Sequence, residues 1–235
     1  MIQLNNVSYS YKKKGFGIHN INLKLEEGYF TTLLGKNGAG KTTLLKNIYM
    51  LYKAKEGDVI WGGNKVDLNN LHLFRKDVAI IDDGFKFSTS LTLEENVDFF
   101  GMLYESFDRS LFDSYIKQFD LDVDLKNNYF DKLSKGEKVK FQLAFVLARN
   151  PKYLIMDEPF ANLDPVVKTD LIDIIHRKVM EDGMGVLMST HLVEDVTDIT
   201  DFIVVMDNGS IKLSGDRESV LASEKIEGLR ELVLS

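Results

Sequence analysis

From Ile2 to Tyr11 apolar and polar side chains alternate, with Ile2, Leu4, Val7, Tyr9 and Tyr11 spaced along one face and a break near Asn5-Asn6. A period of two is that of a strand with one buried face. Ile18 to Leu25 alternates again before Glu26-Glu27-Gly28, and Asp58-Val59-Ile60-Trp61 runs into Gly62-Gly63-Asn64, a hairpin turn signal, with Lys65-Val66 returning. These segments predict antiparallel strands in the N-terminal part of the chain, with Trp61 as a packing residue. Other apolar runs are short and unbroken: Thr31 to Leu34, Val78 to Ile81, Tyr153 to Met156, Gly185 to Met188 and Ile203 to Met206. Runs of this kind are strands covered on both faces. Asn208-Gly209 turns the last of them into Ser210 to Leu213.

Between these runs the spacing becomes helical, over Thr43 to Tyr49, Leu71 to Lys76, Val97 to Tyr104, Leu111 to Phe119, Lys138 to Leu147, Val167 to Met180, Leu192 to Ile199 and Asp216 to Leu232. Thr92 followed by Glu95 makes a capping box for the third of these. Strands alternating with helices predict an α/β sheet, largely parallel. The whole chain, 1–235, is expected to be one domain, with an α/β core from 1–83 and 149–235 and a mostly helical insertion over 84–148.

Candidate chemistry starts at Gly35-Lys36-Asn37-Gly38-Ala39-Gly40-Lys41-Thr42-Thr43, which fits G-x-x-x-x-G-K-[ST] between a strand and a helix. Glycines let the backbone curl so that successive N–H groups converge on one phosphate. Lys41 adds a point charge on the outer phosphates, Thr42 a hydroxyl for Mg²⁺, and the helix aims its positive end at the same place. A second landmark is the apolar strand Tyr153 to Met156, which delivers Asp157 and Glu158 side by side. Neighbouring strand side chains point in opposite directions, which suits Asp157 to the metal and Glu158 to an attacking water as general base.

Bulk properties narrow the setting. No cysteine occurs in 235 residues, so the core needs no disulfide, and there is neither a run of about 18 apolar residues nor a charged-then-apolar leader. The expectation is a soluble, cytoplasmic chain. A net charge of −7 with no long Lys/Arg stripe weighs against nucleic acid as a partner.

Between the two landmarks stands Leu133-Ser134-Lys135-Gly136-Glu137. With it the chain resembles the nucleotide-binding subunit of ATP-binding cassette (ABC) transporters, whose signature is Leu-Ser-Gly-Gly-Gln at a helix start. The resemblance covers nearly the whole chain and implies an α/β P-loop NTPase (RecA-like) core, an N-terminal antiparallel β-subdomain and an inserted α-helical subdomain. It implies ATP hydrolysis with Mg²⁺ held by Thr42, Asp157 and Asp83, an adenine stacked on Tyr11 or alternatively Tyr9, and His191 as the switch histidine on the γ-phosphate. Ser134, Lys135 and Gly136 would contact the ATP of a second copy, and Asp164, in Ala161-Asn162-Leu163-Asp164, would couple the two sites. Two departures stand out: Asp83, with Asp82 before it, replaces the family's glutamine, and Lys135 and Glu137 replace a glycine and a glutamine of the signature.

The resemblance further implies a head-to-tail dimer at the cytoplasmic face of the membrane, bound to a separate transmembrane subunit that docks near Phe85, Phe87 and Leu91. Thr92 to Tyr104 looks like the corresponding stretch of bacterial exporters, so export of a drug- or peptide-like substrate is expected. The alternatives are an importer subunit or a soluble ABC ATPase acting on ribosomes or DNA.

Overall fold

A computed structural model of the chain describes residues 1–11, 15–82, 87–161, 163–195 and 199–234, leaving aside the side chains of 224–228 and 232–234. In chain order the elements are β1 (Ile2–Ser10), β2 (Gly17–Leu25), β3 (Phe30–Leu34), α1 (Lys41–Ile48), β4 (Glu56–Trp61), β5 (Asn64–Lys65), α2 (Leu71–Asp77) and β6 (Val78–Ile81). There follow α3 (Leu93–Gly101), α4 (Arg109–Gln118), α5 (Lys135–Leu147), β7 (Tyr153–Asp157), α6 (Pro165–Asp182), β8 (Gly185–Thr190), β9 (Phe202–Asp207), β10 (Ser210–Asp216) and α7 (Arg217–Leu234).

The N-terminal alternation builds the smaller sheet, in the order β2-β1-β4-β5 with every pair antiparallel. The break read at Asn5-Asn6 is a bulge: the register shifts between Leu4 and Val7, and Asn6 sits at φ 52°. The bulge explains how Leu4 and Val7, three residues apart, are both buried, because one extra residue restores the period of two. Asn22 holds it, accepting from the Asn6 N–H at 3.0 Å and donating to the Asn6 side chain at 3.1 Å.

The larger sheet has the order β10-β9-β3-β8-β7-β6, parallel except for β10, which returns antiparallel to β9. Its register positions the site. Strand β8 lies between β3 and β7, with Leu34 opposite Thr190 and Asp157 opposite Ser189. The residues that follow three separate strands therefore meet at the carboxyl end of the sheet, the usual ligand side of α/β folds.

Two large apolar clusters hold these parts together. One lies under the smaller sheet and joins Ile2, Ile21, Leu33, Leu44, Phe74 and Ile155. Trp61 meets Phe74 edge-on at 5.9 Å, the packing role expected of it. The other joins the segment between β6 and β7 to the sheet through Phe87, Phe112, Phe141, Phe145, Leu154 and Met156. Phe87 is 2 % exposed, with four ring centroids within 5.5 Å. It belongs to the core and offers no surface to a membrane subunit; Phe85 lies outside the described residues, and Leu91 is half-buried. Phe87→Ala is expected to lower stability by about 3–5 kcal/mol, the usual cost of emptying an aromatic core site. Denaturant unfolding measures it, and a loss below about 1 kcal/mol would return Phe87 to the surface.

Three predicted boundaries move for local reasons. Helix α5 starts at Lys135 because Ser134 and Glu137 form a reciprocal capping box. Helix α6 starts at Pro165 because Asp164 caps it, accepting from the Val166 N–H at 2.9 Å, with proline at the first helical position. The helix expected over Leu192 to Ile199 is absent from the described residues there, which form one short 3₁₀ turn, Val193–Asp195. The Thr190 hydroxyl takes the Leu192 N–H at 3.1 Å and donates to Asp195 at 2.5 Å, so side-chain bonds replace the helical ladder.

Candidate functional site

The loop between β3 and α1 is shaped by glycine at two positions. Gly40 has φ 109°, and a Cβ there would press on Ile18, Gly209 and Met206 at 3.2–3.3 Å. A Cβ at Gly35 would lie 2.6 Å from the Met206 carbonyl oxygen. Helix α1 then begins with no side-chain cap and no acidic residue in its first turn. Its first N–H groups are left without side-chain partners at the positive end of the helix dipole, an arrangement that suits an anion.

Lys41 is 4 % exposed and bent back over the loop, donating to the carbonyls of Gly35 at 2.6 Å and Lys36 at 3.3 Å. Its ammonium also meets Glu158 Oε1 at 3.1 Å. The loop is pinned from both sides: Gly35 N–H donates to Thr190 O at 3.3 Å, and Ala39 O accepts from Gly209 N–H at 2.8 Å. Lys36 pairs with Asp207 at 3.3 Å on the rim. Gly38, at φ 87°, has open space around it.

Asp157 and Glu158 diverge, though not by the strand alternation expected of them, since only Asp157 belongs to the strand. Asp157 ends β7 and accepts from Thr42 at 2.6 Å on one oxygen and from Ser189 at 2.6 Å on the other. Glu158 lies just beyond the strand at φ 46°, a left-handed conformation unusual for a residue with a side chain. Its N–H is held by Ser189, at 3.2 Å to the carbonyl and 3.1 Å to the hydroxyl. The carboxylate is thereby turned to Lys41 and to His191, whose Nδ1 is 2.9 Å from Oε2. Six chemistry-bearing residues, Lys41, Thr42, Asp157, Glu158, Ser189 and His191, thus form one connected set at the ends of three strands. Ser189 is the member sequence reasoning missed; only the pairing of β7 with β8 brings it there.

The oxygens of Thr42 and Asp157, both hard donors, fit Mg²⁺, which is held by one or two protein oxygens together with phosphates and waters. Among the described residues no group of three or more His, Cys, Asp or Glu side chains is placed to hold a metal ion. Asp83 lies outside the described residues. Asp82 is 9 % exposed and lines, with Asp157, Glu158, Lys135 and Gln142, a cavity of about 460 Å³ beside the strand ends.

Other sequence candidates sit around this centre. Tyr11 hydrogen-bonds through its hydroxyl to Thr43 at 3.2 Å, and its ring stands edge-on to Tyr9 and Tyr52, which stack on each other. Asn37 and Thr43 are part of the loop and of α1, Thr43 buried. Ser134 and Gly136 share no hydrogen bond with residues 35–43 among those described. Ser134 is spent on its capping box, where its hydroxyl and N–H hold the Glu137 carboxyl below its ordinary range. Lys135 donates to the Ala161 carbonyl, and Asp164 caps α6; Asn162 lies outside the described residues.

A glycine-curled loop, an uncapped helix start, a lysine and a hydroxyl–carboxylate pair define a P-loop nucleotide site. Residues 18–161 match the ABC transporter family. The energy-coupling factor transporter ATP-binding protein EcfA2 of Latilactobacillus sakei is 33 % identical over 239 residues, covering 94 % of this chain and 80 % of that protein. Its counterpart in Streptococcus pyogenes is 32 % identical, covering 93 % and 82 %. Among solved structures, an ATP-binding subunit of an ABC transporter superposes with TM-score 0.86 at 25 % identity, over 100 % of this chain and 98 % of that one. The dimeric, post-hydrolysis ATP-binding cassette MJ0796 with ADP and Pi does so with TM-score 0.81 at 26 % identity, over 92 % and 98 %. This chain belongs to the ABC transporter ATP-binding family, and it is an ATPase of that family.

Proposed function

We propose that this chain is the ATP-hydrolysing subunit of a membrane transporter of the energy-coupling-factor kind, working at the cytoplasmic face through a separate transmembrane subunit and paired with a second ATP-binding subunit. The observation that carries the reading is the connected set Thr42–Asp157 and Lys41–Glu158–His191, which no structural role requires. Residues 35–43 wrap the phosphates, with Lys41 leaving Glu158 for the outer two. Thr42 and Asp157 hold Mg²⁺, which supplies charge neutralisation on those phosphates. Asp83 is retained as a third candidate for that ion. Glu158, once released, takes the proton of the attacking water, while His191 orients the terminal phosphate. Tyr11 leaves Thr43 to stack on adenine.

The site is half of a composite one. Ser134 and Gly136 share no hydrogen bond with residues 35–43 among those described, which supports a role for them, with Lys135 between, at the nucleotide of a second copy, Asp164 coupling the two. The cassette MJ0796 is a dimer in its solved structures, and cbiO1 of Clostridium perfringens (26 % identical, TM-score 0.79, over 96 % of this chain and 92 % of that one) is part of the complex cbiONQ. We read 84–148 as the subdomain that carries Ser134, within one ATP-binding domain.

Uptake replaces the export expected from Thr92 to Tyr104. The relatives carry the energy-coupling-factor name, and the fold explains that stretch, whose Thr92 and Glu95 cap α3 and whose Leu93 and Val97 fill the core. The membrane subunit has a better surface than the one expected near Phe87. Leu68, Leu73 and Leu103 line a groove of about 580 Å³ with Arg75, Lys76 and Glu105, and Leu68 is 89 % and Leu103 65 % exposed. No helix among the described residues is long and apolar enough to cross a membrane. Leu73→Asp with Leu103→Asp is expected to weaken co-purification with the transmembrane subunit about 30-fold or more, the loss of a central apolar anchor, and to leave ATP binding by the free chain unchanged. Undiminished assembly would move the docking surface elsewhere.

A further inference from the structure

An ion pair between a buried carboxylate and a part-buried lysine adjoins His191. Asp195, 7 % exposed, pairs with Lys168 through Oδ1 and accepts from the Thr190 hydroxyl at 2.5 Å through Oδ2. Thr190 is itself 4 % exposed and also takes the Leu192 N–H, so the residues on both sides of His191 are fixed by one hydroxyl that Asp195 orients. Asp195 N–H closes the turn on Leu192 O at 3.1 Å. A narrow crevice lined by Glu158, His191, Thr190 and Asp195 joins the pair to the candidate catalytic carboxylate. Lys168 stands in the first turn of α6, its N–H bonded to Asp164 O at 2.9 Å. The pair therefore bridges the loop that carries His191 and the helix that Asp164 caps.

Burying a carboxylate is costly and is offset only when a countercharge is held close and its remaining hydrogen bonds are made. Here both carboxylate oxygens are used, and what they fix is the backbone flanking His191. We propose that Asp195, paired with Lys168, is a positioning residue for ATP hydrolysis, which holds His191 Nδ1 against Glu158 and ties that contact to the start of α6. The proposal rests on the reading of His191 as a group that acts on the terminal phosphate. Asp195 touches no substrate; it acts through the histidine.

A double-mutant cycle tests it, on the purified full chain with Mg-ATP varied up to saturation. Asp195→Asn removes the charge and keeps the shape, and is expected to lower kcat about tenfold with KM changed less than about twofold, since only the transition-state arrangement is disturbed. Lys168→Arg, which keeps the pair, is expected to retain most of the activity. In a His191→Ala background Asp195→Asn is expected to cost less than about twofold more, because the group it positions is gone. An equal loss in both backgrounds, or no loss of kcat in Asp195→Asn alone, overturns the proposal. If His191→Ala leaves turnover untouched, the reading of the site itself falls and this proposal with it. Should Asp195→Asn fail to fold, Thr190→Val, which removes the oriented hydroxyl and keeps the shape, takes its place in the same cycle with the same deciding outcomes.

Discussion

Glu158→Gln is expected to hold ATP and stall, with turnover reduced about 10²–10⁴-fold, the usual contribution of a positioned general base. The left-handed φ of 46° costs a glutamine no more than a glutamate, and the Ser189 bonds are made to the backbone N–H, so the substitution leaves the local fold intact. The amide carbonyl can still take the place of the carboxylate oxygen near His191, but it cannot accept the proton of water. Lys41 loses its ion pair with Glu158 and becomes free for phosphate. Lys41, 4 % exposed, keeps its bonds to the Gly35 and Lys36 carbonyls, so its charge is not left without partners when the carboxylate goes. Bound ATP that cannot be cleaved then keeps both half-sites closed on each other. Size exclusion with Mg-ATP is expected to show a dimer where the unsubstituted chain is monomeric. A monomer under the same conditions, with ATP bound, would separate Glu158 from the hydrolytic step.

What the sequence made legible was whatever its neighbours in the chain could encode. The loop from Gly35 to Thr43 is contiguous, and its glycines, lysine and threonine all act within one turn, so pattern alone reached it. The unbroken runs around Leu154 and Leu187 gave both strands, and Asp157 and Glu158 followed from position at a strand end. Pairing between distant strands was not legible: Ser189 holds the Asp157 carboxylate and the Glu158 backbone N–H only because β8 lies between β3 and β7, and nothing local announces that order. Phe87 was misplaced for the same reason. Beside Phe85 and Leu91 it reads as a surface aromatic, whereas four rings from α3, α5 and the turn before Leu133 close over it. The stretch after His191 failed differently. Leu192 to Ile199 carries a helical pattern, but over its described part, Leu192 to Asp195, the Thr190 hydroxyl takes the Leu192 N–H and Asp195 binds Thr190 and Lys168, so side-chain bonds overrode the local preference there.

Lys41→Ala acts one step earlier than Glu158→Gln, on nucleotide binding itself. The ammonium now bridges Gly35 O, Lys36 O and Glu158, three acceptors grouped where phosphate oxygens would come. A charge-assisted hydrogen bond is worth about 1.5–3 kcal/mol, so its loss should weaken ATP binding about 10- to 150-fold at about 1.4 kcal/mol per decade. Calorimetry reads this directly, and thermal unfolding reads it by linkage. At ATP about 100 times the dissociation constant, the unsubstituted chain gains about 2.7 kcal/mol, which for a chain of this length raises Tm by about 5–10 °C. With affinity down about a hundredfold, the same ATP concentration stabilises the variant by only about 0.4 kcal/mol, a shift of about 1 °C. Each chain must be compared with its own nucleotide-free Tm, because the bonds to Gly35 and Lys36 also brace the empty loop. A full-sized ATP shift in Lys41→Ala would mean that the helix start and the glycine-curled backbone suffice to bind the phosphates, and would leave Lys41 a role in the closed dimer alone.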